Sequence, residues 1–275
     1  MFSPVNFILS RRPIATTAAA FVGLGRRLPP LWPSHCLLCR EPCPPGGSAA
    51  DLCAACREAL PWNRSACARC ALPMPAPTAA CGRCLRHPPP LTAARAAFVY
   101  GPPLDRLLPR LKFHDDLAAG RLLAGLMAES FMSTSPIDPV DTGGGPCAIG
   151  PEPVSPSPWP QVLVPLPLHR RRLRERGYDQ ALELARPLAR ALALPLRPDL
   201  LHRVRETTPQ SRLDAAARRK NLRGAFAATS AAPSFAHVAL IDDVMTTGAT
   251  LHAAAEALRR AGVARVDAWV CARVP

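Results

Sequence analysis

The chain has 275 residues, which suffices for one domain of ordinary size and a smaller one. Hydrophobic residues make up 48% of it and aromatic residues only 5%, so Leu, Val and Ala must supply most of the core. No uninterrupted apolar run approaches the roughly 20 residues of a membrane span, which excludes an integral membrane protein. The formal net charge of +14 favours anionic partners, although an arginine-rich chain can also carry such charge for solubility alone.

Residues 1–33 are predicted to form an N-terminal extension that belongs to no domain. They contain a short apolar patch, Ala18–Gly23, between pairs of arginines. A transit or signal peptide would have a longer apolar segment and a cleavage site, and neither is convincing here. We therefore expect a cytoplasmic chain with a ragged or weakly helical N-terminus.

Cysteines are concentrated before residue 85. Of the eleven in the chain, eight form four Cys-x-x-Cys pairs, with spacers of thirteen and ten residues. Two cysteines on a tight turn place two thiolates on one ion and a second pair completes a tetrahedron, so this spacing is typical of zinc ribbons. A disulfide framework would need an oxidising compartment that nothing else here supports, and four tandem pairs disfavour a redox role.

We predict a double zinc ribbon over residues 34–90, with two structural zinc ions and the pairs combined in chain order. The interleaved pairing of cross-braced fingers stays open at this point. Cys43 has no role in this scheme. The predicted zinc ligands are Cys36, Cys39, Cys53, Cys56, Cys67, Cys70, Cys81 and Cys84.

The next segments predict alternating strands and helices. A stiff break at His87–Pro90 precedes a short strand at Ala96–Tyr100. A leucine-rich helix then begins at Pro102-Pro103, and a second helix is expected at Leu117–Phe131. Residues 133–160 are rich in Pro, Gly, Ser and Asp without periodicity, which predicts a flexible insertion.

A strongly basic stretch follows the insertion. Gln161–Leu166 predicts a buried strand, and helical spacing resumes over Asp179–Leu192. From Gln161 to Ser230, fifteen Lys or Arg stand against six Asp or Glu, a net charge of +9 (15 − 6). The loop between this strand and helix is therefore either an anion site, because guanidinium binds phosphate oxygens bidentately, or a solvated basic loop. Its candidate ligand-binding residues are Pro167, Leu168, His169, Arg170 and Arg176.

Further elements are expected on either side of the most informative stretch. Leu200–Val204 is a candidate strand. The polar run Arg205–Lys220 after it is either a loop that closes over a bound substrate or a surface excursion. Near the end of the chain we expect a helix at Leu251–Ala261 and a strand at Ala264–Cys271.

The most informative stretch is His237–Leu251. Val238–Ile241 predicts a buried parallel strand that ends at two adjacent carboxylates, Asp242 and Asp243. The small-residue turn Thr246–Thr250 leads into the helix, where free N–H groups and the helix dipole suit a phosphate. Carboxylates repel a phosphate and suit vicinal hydroxyls or a divalent cation, so the stretch fits a ribose 5-phosphate. The alternative is an ordinary strand–turn–helix corner with two solvated aspartates.

This stretch resembles the phosphoribosyl pyrophosphate (PRPP) loop of type I phosphoribosyltransferases, where Asp-Asp and Thr-Thr-Gly-x-Thr follow a hydrophobic strand. With further motifs, it resembles the ComF family of competence-associated proteins over about Cys36–Val274. Tyr178-Asp179 stands where that family more often has Phe-Asn, and the insertion at 133–160 is longer than the family needs. The further motifs are the four Cys-x-x-Cys pairs, Val-Pro-Leu-Pro, Arg-x-Arg-Gly-Tyr-Asp-Gln-Ala, Thr-Pro-Gln-Ser and Arg-x-x-Asn-Leu-Arg-Gly-Ala-Phe.

The resemblance implies an α/β fold, with a small double zinc ribbon before a type I phosphoribosyltransferase-like domain at 91–275 whose mainly parallel sheet is flanked by helices. It also implies binding of PRPP with magnesium and a role in DNA uptake or utilisation. Asp242 and Asp243 would be catalytic and would hold the ribose hydroxyls, directly or through the metal. Leu166–His169 and the arginines after it would form the pyrophosphate loop. The other PRPP-binding residues would be Val244, Met245, Thr246, Thr247, Gly248, Ala249 and Thr250.

Two functional hypotheses follow. The first is an enzyme, a glycosyltransferase that moves the phosphoribosyl group onto an unidentified acceptor. The second is a non-catalytic module that senses PRPP and binds single-stranded DNA or a helicase-like partner. The intact Asp-Asp loop favours retained ligand binding under both hypotheses. The ribbons, the basic excess and the lack of a nucleobase-recognition element favour the second, whereas the scarcity of aromatic residues for base stacking (Trp32, Trp62 and Tyr178 are the candidates) weakens it. The sequence predicts no oligomeric state.

Overall fold

The fold places a parallel sheet between two layers of helices and ribbons. Three predicted segments lie wholly or largely outside the described residues: the N-terminal extension, most of the insertion at 133–160 and most of the loop Arg205–Lys220. The computed structural model describes residues 34–43, 51–113, 116–133, 159–206 and 222–275.

Four strands form the sheet, and all of their pairings are parallel. Their bounds are Ala94–Val99 (β1), Val162–Pro165 (β2), His237–Met245 (β5) and Arg265–Arg273 (β6). The order across the sheet is β1-β6-β5-β2, so β5 is a central strand with a neighbour on each side. A separate antiparallel pair consists of Leu201–Arg203 (β3) and Phe226–Ala228 (β4).

In the described ranges, three helices are short and four have 10 to 17 residues. In the four longer helices, residues three or four positions apart share one face, which is apolar and buried. The helices are Ala54–Glu58 (α1), Gly82–Arg86 (α2), Leu104–Phe113 (α3), Leu117–Ser133 (α4), Arg170–Arg176 (α5), Gln180–Leu192 (α6) and Ala249–Arg260 (α7). None of the helices in the described ranges is long and apolar enough to cross a membrane.

The two faces of the sheet carry different layers. Successive strand residues point to opposite faces, and the packing follows that rule: Val238 and Leu240 lie in an apolar cluster with α7 and the β3–β4 pair. Ala239 and Ile241 lie in a second cluster with α3, α4 and α6. Strands buried on both faces read as continuous apolar runs, which is why Val238–Ile241 was recognisable as a parallel strand. The predicted α/β fold is confirmed.

Some predicted boundaries were wrong. The strand expected to stop at Ile241 continues to Met245, because its pairing with β6 persists through Val244↔Ala272 and Met245↔Arg273. The two aspartates therefore lie within β5. The helix after the turn begins at Ala249, earlier than the predicted Leu251.

The basic loop predicted after Leu166 is in part a helix, α5. Its first turn is capped by the Nδ1 atom of His169, which accepts a hydrogen bond from the N–H of Arg171 at 3.4 Å. Its last turn ends at Gly177, in the left-handed conformation with φ of 80°, whose N–H donates to the carbonyl of Leu173. An ion pair of Arg171 with Glu175 at 3.0 Å spans one turn.

Candidate functional site

The segment Thr246–Thr250, which comprises the turn after β5 and the first two residues of α7, is named the phosphate loop. Gly248 occupies the N-cap of α7 with φ of 78° and has no side chain to cap it, while Oγ1 of Thr247 accepts a hydrogen bond from the N–H of Ala249 at 3.4 Å. Within the described part of the chain, no protein acceptor takes the N–H groups of Thr246, Thr247 and Gly248. Thr246 is exposed and Thr247 and Thr250 are half-buried, so an anion can reach the loop.

Only glycine fits at position 248. The positive φ disfavours any L side chain. A Cβ atom there would also lie 2.5 Å from Cε of Met245 and 2.9 Å from Nε2 of His252, both too close. The loop backbone is therefore packed directly on the side chains beneath it.

Asp242 and Asp243 occupy adjacent positions on β5 and so continue opposite faces of the sheet. Asp242 is half-buried, whereas Asp243 is 4% exposed. The N–H of Asp243 donates to Oδ1 of Asp242 at 2.9 Å, and the N–H of Val244 donates to Oδ1 of Asp243 at 2.8 Å. Asp242 is therefore the more accessible carboxylate, and Asp243 lies behind it.

The surroundings of the two carboxylates differ accordingly. On the side of Asp242, burial lowers the pKa of Arg203, and the positive charge of Arg172 lowers it further. The negative charge of Asp242 opposes this shift. On the other side, burial raises the pKa of the Cys271 thiol, and the nearby charge of Asp243 contributes. Arg203 of β3 and Arg172 of α5 therefore lie within electrostatic range of Asp242. The sequence did not single out Arg203.

The predicted pyrophosphate loop, Leu166–His169, leaves the same edge of the sheet as the phosphate loop. Pro165 is paired with Ile241 on β5. The N–H of Leu166 donates to the carbonyl of Ile241 at 2.9 Å. The carboxyl ends of adjacent parallel strands are the usual ligand-binding edge of an α/β sheet. The structure therefore brings Asp242, Asp243 and both loops together.

Asp179 fixes the pyrophosphate loop to α6. Its carboxylate accepts hydrogen bonds from the N–H groups of Leu168 at 3.0 Å, Ala181 at 3.0 Å and Leu182 at 3.2 Å. Burial raises the pKa of Asp179, the three N–H donors oppose the shift, and the nearby charge of Asp243 adds to it. The helix cap therefore also positions a backbone segment beside the aspartates.

The remaining predicted PRPP-binding residues differ in their positions. Arg170 is exposed at the start of α5, directly after the loop. Arg176 is half-buried at the other end of α5 and donates to Oε1 of Gln180 at 3.1 Å. Met245 is 1% exposed and Val244 half-buried, so their side chains pack against the core and only their backbones are available.

The cysteines form two groups in chain order. The first tetrad is Cys36, Cys39, Cys53 and Cys56, and the second tetrad is Cys67, Cys70, Cys81 and Cys84. Within each tetrad the sulfur atoms lie within 4.8 Å of one another. The chain-order pairing is confirmed, and the interleaved alternative is wrong. Cys43 is buried and belongs to neither tetrad.

The sulfur positions fit a tetrahedral zinc ion. Zinc–sulfur bonds of about 2.3 Å at tetrahedral angles require sulfur atoms roughly 3.8 Å apart. The observed separations are 3.7 Å for Cys39–Cys53, 3.8 Å for Cys70–Cys81 and 4.0 Å for Cys67–Cys84. Each tetrad offers four thiolate ligands, which is the donor set of a closed structural site.

Both ribbons use the same turn after the first cysteine pair. Arg40 and Ala71 have positive φ values of 69° and 55°. The N–H of Arg40 donates to the carbonyl of Cys36 at 2.9 Å, and the N–H of Ala71 donates to that of Cys67 at 2.8 Å. The two halves of the cysteine-rich region are therefore repeats of one local structure.

Comparisons with known proteins agree with this geometry. A family model described as a double zinc ribbon domain matches residues 28–85, and one described as a phosphoribosyl transferase domain matches residues 179–275. Competence protein F of Haemophilus influenzae is 32% identical over 176 residues, 63% of this chain and 69% of that protein. The chain belongs to the competence protein F family. DNA utilization protein YhgH of Salmonella typhi is 33% identical over 174 residues, which are 63% of this chain and 69% of that protein. DNA utilization protein YhgH of Escherichia coli K12 is 36% identical over 114 residues, which are 42% of this chain and 50% of that protein.

Four residues near the candidate site of this chain were not predicted: Asp179, Arg203, His252 and Arg273. Asp179 could have been found, because an Asp directly before a helical pattern is a typical N-cap. The other three act through contacts between distant segments; Arg273, for example, bonds to a carbonyl 203 positions earlier. No periodicity or motif announces such a contact.

Proposed function

We propose that the chain binds PRPP with magnesium at the carboxyl edge of the sheet. The observation that carries the proposal is the phosphate loop: three N–H groups that have no protein acceptor among the described residues, directly before α7 and beside a reachable carboxylate, Asp242. The 5-phosphate would accept hydrogen bonds from this loop, and the diphosphate would lie toward Leu166–His169. Arg172 and Arg203 supply positive charge near Asp242.

The carboxylates suit the sugar and the metal. Magnesium in such sites takes one or two carboxylates together with substrate phosphates, and Asp242 is the accessible donor, with Asp243 behind it. Bound magnesium would neutralise charge on the departing diphosphate. Asp242 would hold the ribose hydroxyls, directly or through the metal, and Asp179 would keep the Leu168 backbone in place.

The reaction we propose is phosphoribosyl transfer to a nitrogen nucleophile. The bond between C1 of the ribose and the diphosphate oxygen breaks with its electron pair leaving on the diphosphate, and a C1–N bond forms. Positive charge develops on the sugar, so negatively charged carboxylates near the ring favour the transition state. Release of diphosphate from PRPP, screened across bases, nucleosides and single-stranded DNA, identifies the acceptor.

The test of the binding site is calorimetric titration with PRPP and magnesium. Asp242→Asn combined with Asp243→Asn is expected to abolish binding while the fold is kept, because the site loses both negative charges. Asp199→Asn is the control, since Asp199 makes its ion pair with Arg197 at 2.7 Å on an exposed turn. An unchanged affinity of the double variant would refute the site.

A second candidate is the non-catalytic module that binds PRPP and single-stranded DNA or a helicase-like partner. The net charge of +14 and the names of the relatives, competence and DNA utilization proteins, favour a nucleic acid partner. Trp62 is a poor stacking platform because its ring already packs on Phe98 at 4.7 Å and under Arg57. If arginines contact phosphates, the affinity for single-stranded DNA falls steeply with salt; a salt-independent affinity would contradict this candidate.

We also propose that each tetrad holds one zinc ion, so that purified protein contains close to two zinc ions per chain. Metal analysis tests this directly, and a content near zero would contradict it. The two proposed domains, 34–90 and 91–275, share an apolar cluster, because the second tetrad lies in the same cluster as Leu251 and Ala255 of α7. Separate expression of 34–90 and 91–275 is therefore expected to yield unstable fragments.

A further inference from the structure

Arg273 is a buried cation between the second tetrad and the phosphate loop. It is 4% exposed and lies near the end of β6. Its Nε donates to the carbonyl of Cys70 at 2.9 Å, and its Nη1 donates to the carbonyl of Met245 at 3.2 Å and also to that of Val274. One planar guanidinium therefore holds carbonyls from two distant segments.

Both carbonyls belong to functional segments. Cys70 is a ligand position of the second tetrad, at the turn that closes its first cysteine pair. Met245 is the residue directly before the phosphate loop, and its carbonyl also accepts the N–H of Val274 at 3.0 Å. A shift of the cysteine turn would therefore act on the residue from which the loop starts.

His252 of α7 lies directly beneath the loop. Burial lowers the pKa of His252, and the positive charges of Arg83 on helix α2 and of Arg273 add to the shift. Among the described residues, Nε2 of His252 is buried without a hydrogen-bond partner and lies against Gly248, 2.9 Å from where a Cβ would stand. The direct link between the ribbon and the loop is therefore the guanidinium of Arg273.

We propose that Arg273 is a positioning residue that couples the second tetrad to the phosphate loop. Zinc in this tetrad fixes the Cys70 carbonyl, Arg273 transmits that position to Met245, and the loop is held in the conformation that binds a phosphate. The ligand in this statement rests on the proposed function; the bridge itself rests on the hydrogen bonds of Arg273. Loss of zinc from the second tetrad then weakens ligand binding, whereas loss from the first tetrad does not.

The mutational test uses the full chain, with zinc content and PRPP affinity measured on the same samples. Arg273→Met removes the bridge and is expected to weaken PRPP binding roughly 5- to 150-fold, the usual range of coupling between sites, while zinc content is kept. Arg69→Met is the matched control, because Arg69 lies on the same cysteine turn but donates to the carbonyl of Thr92 at 2.9 Å. Equal affinities for wild type and Arg273→Met would overturn the proposal.

Arg273→Lys covers the case in which the Met variant fails to fold. Lysine keeps the charge but has one nitrogen, which cannot reproduce the fork to both carbonyls. A weaker affinity for PRPP is expected here as well, and a wild-type affinity would overturn the proposal.

The wild-type chain offers an independent test, because coupling between binding sites is reciprocal. PRPP with magnesium should raise the chelator concentration needed to remove the zinc ion of the second tetrad. The chelator concentration needed to remove the zinc ion of the first tetrad should not change. Arg273→Lys should abolish this protection. Identical chelator curves with and without PRPP would overturn the coupling.

A ligand-free measurement separates this inference from the proposed function. Val274 N–H donates to the carbonyl of Met245 at 3.0 Å, and His252 N–H donates to the carbonyl of Gly248 at 2.8 Å. Amide hydrogen exchange at these two positions should be faster in Arg273→Met than in wild type, whatever ligand the loop takes. Unchanged exchange would overturn the bridge even if PRPP binds. The converse outcome is a difference in exchange between Arg273→Met and wild type, together with no binding of PRPP by wild type. That result would contradict the proposed function and leave the bridge in place.

Discussion

The two cysteine tetrads share one local structure but differ in their surroundings. In the first tetrad Cys39 is exposed and Cys53 and Cys56 are half-buried, whereas all four cysteines of the second tetrad are buried. The first ribbon meets the α3–α4 layer through hydrogen bonds such as Arg110 Nη1 to the carbonyl of Leu37 at 2.7 Å. The first tetrad borders the apolar cluster of α3, α4 and α6, in which Cys36 is buried, whereas the second lies wholly within the cluster that contains β5 and α7. The same motif is thus partly exposed in one place and fully buried in the other.

The largest difference is expected when each tetrad is disrupted. Cys67→Ser with Cys70→Ser should prevent cooperative folding, because all four cysteines are buried in the cluster of β5 and α7 and the change opens that core. It also removes a structural zinc site, which contributes about 10 kcal/mol or more. Cys39→Ser with Cys53→Ser should lose one zinc ion and leave the sheet folded. Thermal unfolding followed by circular dichroism, with metal analysis, distinguishes the two; equal losses in both variants would break the comparison.

A smaller effect is expected from acid, at His252 of α7. Burial, together with Arg83 and Arg273, lowers the pKa of His252 from 6.5 to about 4. Between these values the unfolded state binds the proton and the folded state does not, so stability falls as the pH falls through this window. Going from pH ~7.5 to ~5.5 should cost about 1 kcal/mol, and His252→Gln should remove that part of the slope in denaturant titrations.

His202 is the control for this measurement. His202→Gln makes the same substitution at an exposed position of β3, and only the difference between the two variants is assigned to His252. A His252→Gln variant with the wild-type slope would show that the histidine behind the loop contributes nothing to acid sensitivity.

The smallest effect is expected at the first ribbon's ion pair. Arg57 contacts Glu129 of α4 at 2.6 Å, and both side chains are more than one third exposed. Exposed pairs contribute about 0.2–1 kcal/mol, so Arg57→Met should lower the free energy of unfolding by no more than that and leave zinc content unchanged. A loss several times larger would mean that the first ribbon is held as firmly as the second.

The sequence predicted the parts of the structure that depend on local pattern. Cysteine spacing identified the eight ligand positions and favoured chain-order tetrads, from Cys36 to Cys56 and from Cys67 to Cys84, and the structure excluded the interleaved pairing. The apolar run Val238–Ile241 and the glycine at 248 likewise carry their own structural reasons. The placement of the two loops at one edge followed from parallel pairing, which the structure confirms.

What the sequence did not predict depends on neighbours that are distant in the chain. β5 runs on through Asp242 and Asp243 only because β6 lies alongside and supplies partners. The strand at Leu201–Arg203 pairs with Phe226–Ala228 and not with the main sheet. A charge run such as Arg170–Arg176 conceals its helical caps, since its flanking His169 and Gly177 are also ordinary loop residues.

The central position of β5 has a practical consequence for assays. A strand that is hydrogen-bonded on both sides exchanges its amide hydrogens last and loses its structure last. A partly exposed element such as the first ribbon can open earlier. The Asp242 corner should then still capture its ligand in molecules whose first ribbon has already come apart on heating or storage. Ligand binding is therefore a poor test of whether a preparation is intact. The number of metal ions bound per chain is the better test.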